Sequence, residues 1–252
     1  EGSDRIDWRA LATSQPIPVL FAASAMGGEG TRFGCASAAY AALLAVDTAA
    51  TDEADTRRWV AYLGLQTSRV AQGRIADAAA ITDSTMRRWG FGSTVFLLEA
   101  AVVPELLDRA RTVAQGDEAQ YGANYAACPF PRRLWELGVL EARTGRVTVA
   151  AAVAQELRRR AEASGGRYEQ GLAESVDGVV TLAQGDSSRA LAQLLALVPN
   201  ADVGDALMWD EAEPRGTERL VLAQLLMARG EHRRAIDVLS VFDSSRPMMH
   251  VL

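Results

Sequence analysis

The chain has 252 residues, of which 46 are Ala and none is Lys, so all 26 basic residues are Arg. With 49% apolar and 23% charged residues the composition is that of a folded chain, not a disordered one. The missing amine excludes a Walker A phosphate loop, a protein kinase site and a Schiff-base or pyridoxal enzyme. A formal net charge of -6 and a pI near 5.1 argue against nucleic acid or an anionic membrane as the main partner.

Ala is the best helix former, and Ala, Leu, Arg and Glu dominate, so a mostly helical fold is expected. An Ala-rich chain without Lys also fits GC-rich coding and a bacterial source. The longest uncharged run, Ala10 to Gly28, is interrupted by Pro16 and Pro18. Its apolar centre, Ile17 to Met26, is about half the ~20 residues a spanning helix needs. It faintly resembles a signal peptide, with Arg5 and Arg9 ahead of it and Ala23-Ser24-Ala25 behind.

Residues 1–54 read as an N-terminal segment with a Gly-rich loop and a first helix. Ile17–Ala23 suits a strand, Met26–Gly34 a Gly-rich loop, and Cys35–Val46 a helix. That order resembles a dinucleotide-binding start, in which helix amides hold a pyrophosphate. The spacing Gly28-x-Gly30-x-x-x-Gly34 is one residue too long for it, and Asp52–Ala71 reads as helix where a second strand would follow.

Residues 55–252 read as helical repeats, continuous with the N-terminal segment or separate from it. A Gly, four residues and then an Ala that opens an apolar run recur at Gly73/Ala78, Gly145/Ala150, Gly185/Ala190 and Gly230/Ala235. Gly suits the left-handed residue that ends a helix. Apolar stripes at helical spacing flank each turn: Leu134, Leu137 and Leu140 before Gly145, then Val149, Val153 and Leu157 after it. Small residues mark where paired helices should cross closely, with Gly138 facing Ala150, Gly178 facing Ala190 and Ala223 facing Ala235. Between Gly73 and Gly145 a degenerate unit would turn at Gly116, where Tyr121 replaces the expected Ala.

These residues resemble the tetratricopeptide repeat. Leu222-Ala223, Gly230, Ala235, Phe242 and Pro247 carry the likeness in the last unit, and Leu134, Leu137-Gly138, Gly145 and Ala150 carry it earlier. The spacings exceed that family's period, and its first-helix aromatic is absent. The stretch Trp209 to Pro247 is also similar to helical regions of bacterial transcription-regulatory or kinase-linked signalling proteins. The resemblance implies an all-α superhelix of antiparallel helix pairs whose groove is lined by the first helix of each pair. It places Arg132, Trp135, Val139 and Arg143, then Thr217, Leu220 and Gln224, along a partner-binding surface. Trp and Arg are enriched at binding hot spots.

Chemistry elsewhere is sparse. Cys35 and Cys128 have no metal-ligand spacing and read as two buried thiols. His232 and His250 lack ligand-spaced partners, so neither a metal nor a histidine-based triad is expected. The acid groups Asp52-Glu53-Asp55 and Asp210-Glu211-Glu213 sit at helix starts, where the helix dipole favours them. Arg158-Arg159-Arg160 reads as a solvated helix face, and Trp59, Tyr62, Trp89, Phe91, Trp135 and Trp209 as packing anchors. The expectation is a non-catalytic scaffold or regulatory module in the cytoplasm, binding a protein and needing no cofactor. An extracytoplasmic location, an accessory structural subunit, and a nucleotide or small-ligand enzyme built on the Gly-rich loop are the alternatives.

Overall fold

The computed structural model describes residues 6–28, 32–48, 50–89, 106–197 and 216–240. Every regular element among them is helical. The α-helices are α1 (Trp8–Ser14), α2 (Pro16–Gly28), α3 (Phe33–Val46), α4 (Asp52–Ala71), α5 (Ile75–Trp89), α6 (Leu107–Tyr121), α7 (Pro131–Arg143), α8 (Val147–Ser164), α9 (Arg167–Ala183), α10 (Ser187–Leu197), α11 (Gly216–Ala228) and α12 (His232–Leu239), with a 3-10 turn at Ala123–Tyr125. The chain divides into two compact units, residues 1–93 with 243–252, and residues 94–242. Hairpin α4–α5 therefore belongs to the first unit, apart from the later hairpins. The expected turn residues Pro199 and Pro247 and both ends of the Trp209–Pro247 motif, residues 209–215 and 241–247, lie outside the described residues.

Two readings of the sequence are corrected. Ile17–Ala23 is not a strand but the body of α2. Pro16 and Pro18 both fall in its first turn, where a helix needs no backbone N–H, so proline is tolerated and Pro16 presets the helical φ. Gly116 does not turn the chain: it lies inside α6, which runs unbroken to Tyr121. The reversal comes at Gly122, with φ +79, followed by Asn124 and Tyr125 at φ +55 and +58.

The first unit packs α2 and α4 against α3 around Val19, Ala23, Ala36, Tyr40, Leu43 and Ala61. Tyr40 lies directly over Gly64 of α4, where any side chain would strike the ring. Its hydroxyl meets Ser24 of α2 at 3.0 Å. Between α4 and α5 the buried seam is polar: Gln66 donates to Thr82 Oγ1 at 2.9 Å.

The four Gly turns share one geometry. Gly73, Gly145, Gly185 and Gly230 have φ of +70, +88, +92 and +75. The next residue donates its N–H back across the turn: Arg74 to Arg69, Arg146 to Glu141, Asp186 to Thr181 and Glu231 to Leu226, at 2.8–3.2 Å. This is the six-to-one bond that closes a helix end. The same residue's carbonyl then accepts from Ala78, Ala150, Ala190 or Ala235, opening the next helix at 3.0–3.1 Å. One residue thus ends one helix and starts another, and all four Ala are buried.

In the second unit α9 packs along α7, while α11 packs on α10 and α12 and reaches α9 through a side-chain bond. Trp135 on α7 bonds Ser175 on α9, 40 residues on, and Ser175 bonds Glu218 on α11, 43 residues on. These offsets lie close to the turn spacings of 40 and 45 residues. Close approach does occur at Gly138 and Gly178, one helical turn from where the sequence places it. A Cβ on Gly138 would meet Val153 and Val176 at 3.0 Å, and one on Gly178 would meet Leu194 at 2.8 Å. The last interface has an apolar core, with Leu191, Leu194, Val221, Leu222, Ala223, Leu226 and Ala235 in one cluster.

Candidate functional site

The seven groove candidates fall at different depths. Trp135 is 3% exposed and Val139 is fully buried, so both are enclosed by protein. The Trp135 indole N–H donates to Ser175 Oγ at 2.8 Å, and Ser175 in turn donates to the buried Glu218 carboxylate. Arg132, Arg143, Thr217 and Leu220 are half-buried, and Gln224 is exposed.

The two Arg differ in their surroundings. Arg132 reaches the Glu136 carboxylate at 3.3 Å, a charge-assisted bond one turn along its own helix. Arg143 ends α7 with its Nη1 buried and without a hydrogen-bond acceptor. Burial pulls its pKa below the ordinary value, and no carboxylate among the described residues acts on it. An unmade hydrogen bond on a buried charged group costs about 1–3 kcal/mol or more.

The largest feature absent from the sequence reading is a set of buried ions between α6 and α7. The helices run antiparallel, with Asp117 beside Arg133 and Arg111 beside Glu141. Arg133 is bound to Asp117 Oδ2 through Nε at 3.0 Å and Nη2 at 2.7 Å. Its Nη1 faces Glu136 at 3.7 Å. Near the Gly145 turn, fully buried Glu141 accepts from Arg111 at 2.9 Å, from Arg146 at 3.0 Å and from the Tyr125 hydroxyl. Arg111 also donates to the Thr144 carbonyl, and Arg146 to Glu118.

Burial and pairing shift these groups in opposite directions. Burial pushes Glu136 up to about 7, because the solvation lost exceeds what Arg133 and Arg132 return. Asp117 is also raised, burial outweighing its bond to Arg133. The Tyr125 phenol is raised by burial and then by its carboxylate partner, so it stays a donor. No sequence signal marked these acids as buried. Glu136 and Glu141 sit among Leu and Trp on a helix whose polar face would ordinarily meet water, yet α7 is buried from Arg133 to Ala142.

Other candidates resolve simply. Arg159 and Arg160 both clamp Glu156, holding its carboxyl down at about 2, and Arg158 meets Asp177 at 3.4 Å, so this run is neutralised locally. Trp59 is 40% exposed and is not a core anchor, while Tyr62 is half-buried. The side chain of Trp89, along with Phe91 and Trp209, lies outside the described residues, as do Glu29 to Thr31 of the Gly-rich loop, the Asp210–Glu213 group and His250. Cys128 is buried and Cys35 only half-buried, both as free thiols. His232 is exposed. Among the described residues no cluster of His, Cys, Asp and Glu could hold a metal ion, and no helix is long and apolar enough to cross a membrane.

On the surface of the first unit, α2 exposes Ile17, Pro18, Phe21, Ala22 and Ala25, an uncharged stripe at helical spacing with Phe21 71% exposed. No protein-family model matches the chain, and neither a curated protein nor a solved structure shows significant similarity to it.

Proposed function

We propose that the chain is a non-catalytic protein-interaction module of the tetratricopeptide-like class, and that a partner docks along the first helices of its hairpins. Arg143 carries this reading. It is a half-buried cation on a first helix, and no carboxylate among the described residues acts on it. Thr217, Leu220 and Gln224 supply neutral, accessible side chains on the corresponding helix of the last described hairpin. Together they suit a partner segment that is apolar or neutral and carries one carboxylate for Arg143. Trp135 and Val139 act from beneath, holding the shape of this face. The test is a pull-down of partners from the native source with the full chain as bait, comparing wild type with Arg143→Glu/Gln224→Ala. Loss of the captured partner with unchanged helical content supports the face; an unchanged set of partners rejects it.

The exposed apolar stripe of α2 favours a second reading, an accessory structural subunit whose neighbours cover that stripe. Under it, Phe21→Glu releases the captured partner and Arg143→Glu does not.

A further inference from the structure

Two carboxylates, Asp117 of α6 and Glu136 of α7, face one buried guanidinium, that of Arg133. Asp117 takes its Nε and Nη2 at close range. Glu136 is left with Nη1 at 3.7 Å, and its Oε2 is buried with no hydrogen-bond donor. An ionised oxygen in that position has neither water nor a proton to meet, whereas a protonated one needs far less from its surroundings.

The geometry points to Glu136 as a proton-operated latch that sets how firmly α6 is held on the first hairpin of the second unit. With Glu136 neutral, Arg133 belongs wholly to Asp117, and α6 is held. With Glu136 ionised, its Oε1 has Arg132 but its Oε2 must compete with Asp117 for the Arg133 guanidinium, and the cheapest relief is to let α6 lift and admit water. The charged and titratable groups around it are Arg132 and Arg133 on α7, Asp117 and Tyr121 on α6, Cys128 in the connection between them, and Arg160 on α8, whose charge bears on Cys128. At this level α9 meets α7 with Ser175 and Val176, neither of which titrates.

The sign follows from the raised pKa. The held state keeps a proton on Glu136 that the opened state releases, so holding is strongest in mild acid and weakens as pH rises to about 7. Burial raises Asp117 too, which adds in the same direction.

Hydrogen exchange on the full chain tests the latch. Protection of the α6 amides, corrected for the intrinsic pH dependence of exchange, should fall on the order of tenfold between about pH 5.5 and about pH 8. Protection in α9 and α10 should stay level. Glu136→Gln, neutral and of the same shape, should keep α6 protected at both pH values. Constant protection of α6 in the wild type, or the same fall in the Gln variant, overturns the proposal. Should the variant not fold, the carbon-13 carboxyl shift of wild-type Glu136 decides: a titration midpoint above about 6 supports the latch, and one below about 5.5 overturns it.

Discussion

Trp135 on α7 and Ser175 on α9 are joined by a 2.8 Å hydrogen bond across one whole repeat, and Ser175 passes its own proton on to Glu218 of the next. All three side chains are buried, so this chain pins three successive first helices at one level. Buried polar networks of this kind hold one arrangement firmly when satisfied and cost heavily when cut.

Ser175→Ala removes the acceptor of the Trp135 N–H and a donor to Glu218, whose Oε2 already has no partner. The expected loss is about 2–4 kcal/mol in urea unfolding. Glu218→Gln keeps an acceptor for Ser175 and removes a buried charge, so it should cost less than the Ser175 change. The reverse order would show that the hydroxyl is not the link between these helices.

Gly138 and Gly178 occupy matching sites but should not respond alike to Ala. A Cβ at Gly138 is met at 3.0 Å by Val153 on one side and Val176 on the other, both stiff at χ1. At Gly178 the nearest atom is the terminal methyl of Leu194, which can swing. Overpacking of about 1–3 kcal/mol at Gly138 should exceed the gain of about 1 kcal/mol in helix propensity, whereas at Gly178 the two should nearly cancel. Thermal melts of the two variants check the ranking.

Gly145 and Gly116 should respond in opposite directions. Gly145 sits at φ +88, so Ala there costs about 1–2 kcal/mol. Gly116 is exposed inside α6 with nothing within 4 Å of a Cβ, so Ala there should stabilise by up to about 1 kcal/mol. A loss of stability at Gly116 would mean that the chain turns there after all.

Arg133→Met leaves Asp117 and Glu136 buried without their shared cation. Breaking a buried pair from one side costs about 3–5 kcal/mol. Removing the stranded charges as well, in Arg133→Met/Asp117→Asn/Glu136→Gln, should restore most of the loss, because the penalty lies in the uncompensated charges. If the triple variant is no better than the single one, the guanidinium acts by packing and not by charge.

The sequence by itself determined the four hairpins around Gly73, Gly145, Gly185 and Gly230, but not α2, which it read as a strand, nor α6, which it broke at Gly116. Four Gly at a fixed distance before an Ala are local signals, because a left-handed helix end and a small opening residue depend only on neighbouring backbone. It also showed which residues are small enough for helices to approach at Gly138 and Gly178, though not which neighbours they meet, since that depends on how far one helix slides along another. What only the tertiary structure decided is the fate of the polar residues. Periodicity assigns Glu136, Glu141 and Glu218 to water because it treats a helix as having one buried face. Once Arg111 and Asp117 of α6 bond across to α7 and α11 reaches Ser175 of α9, those faces are covered as well. A carboxylate removed from water must then find a guanidinium or a hydroxyl or hold its proton, and for Glu141 and Glu218 that choice involves residues 16 and 43 positions away.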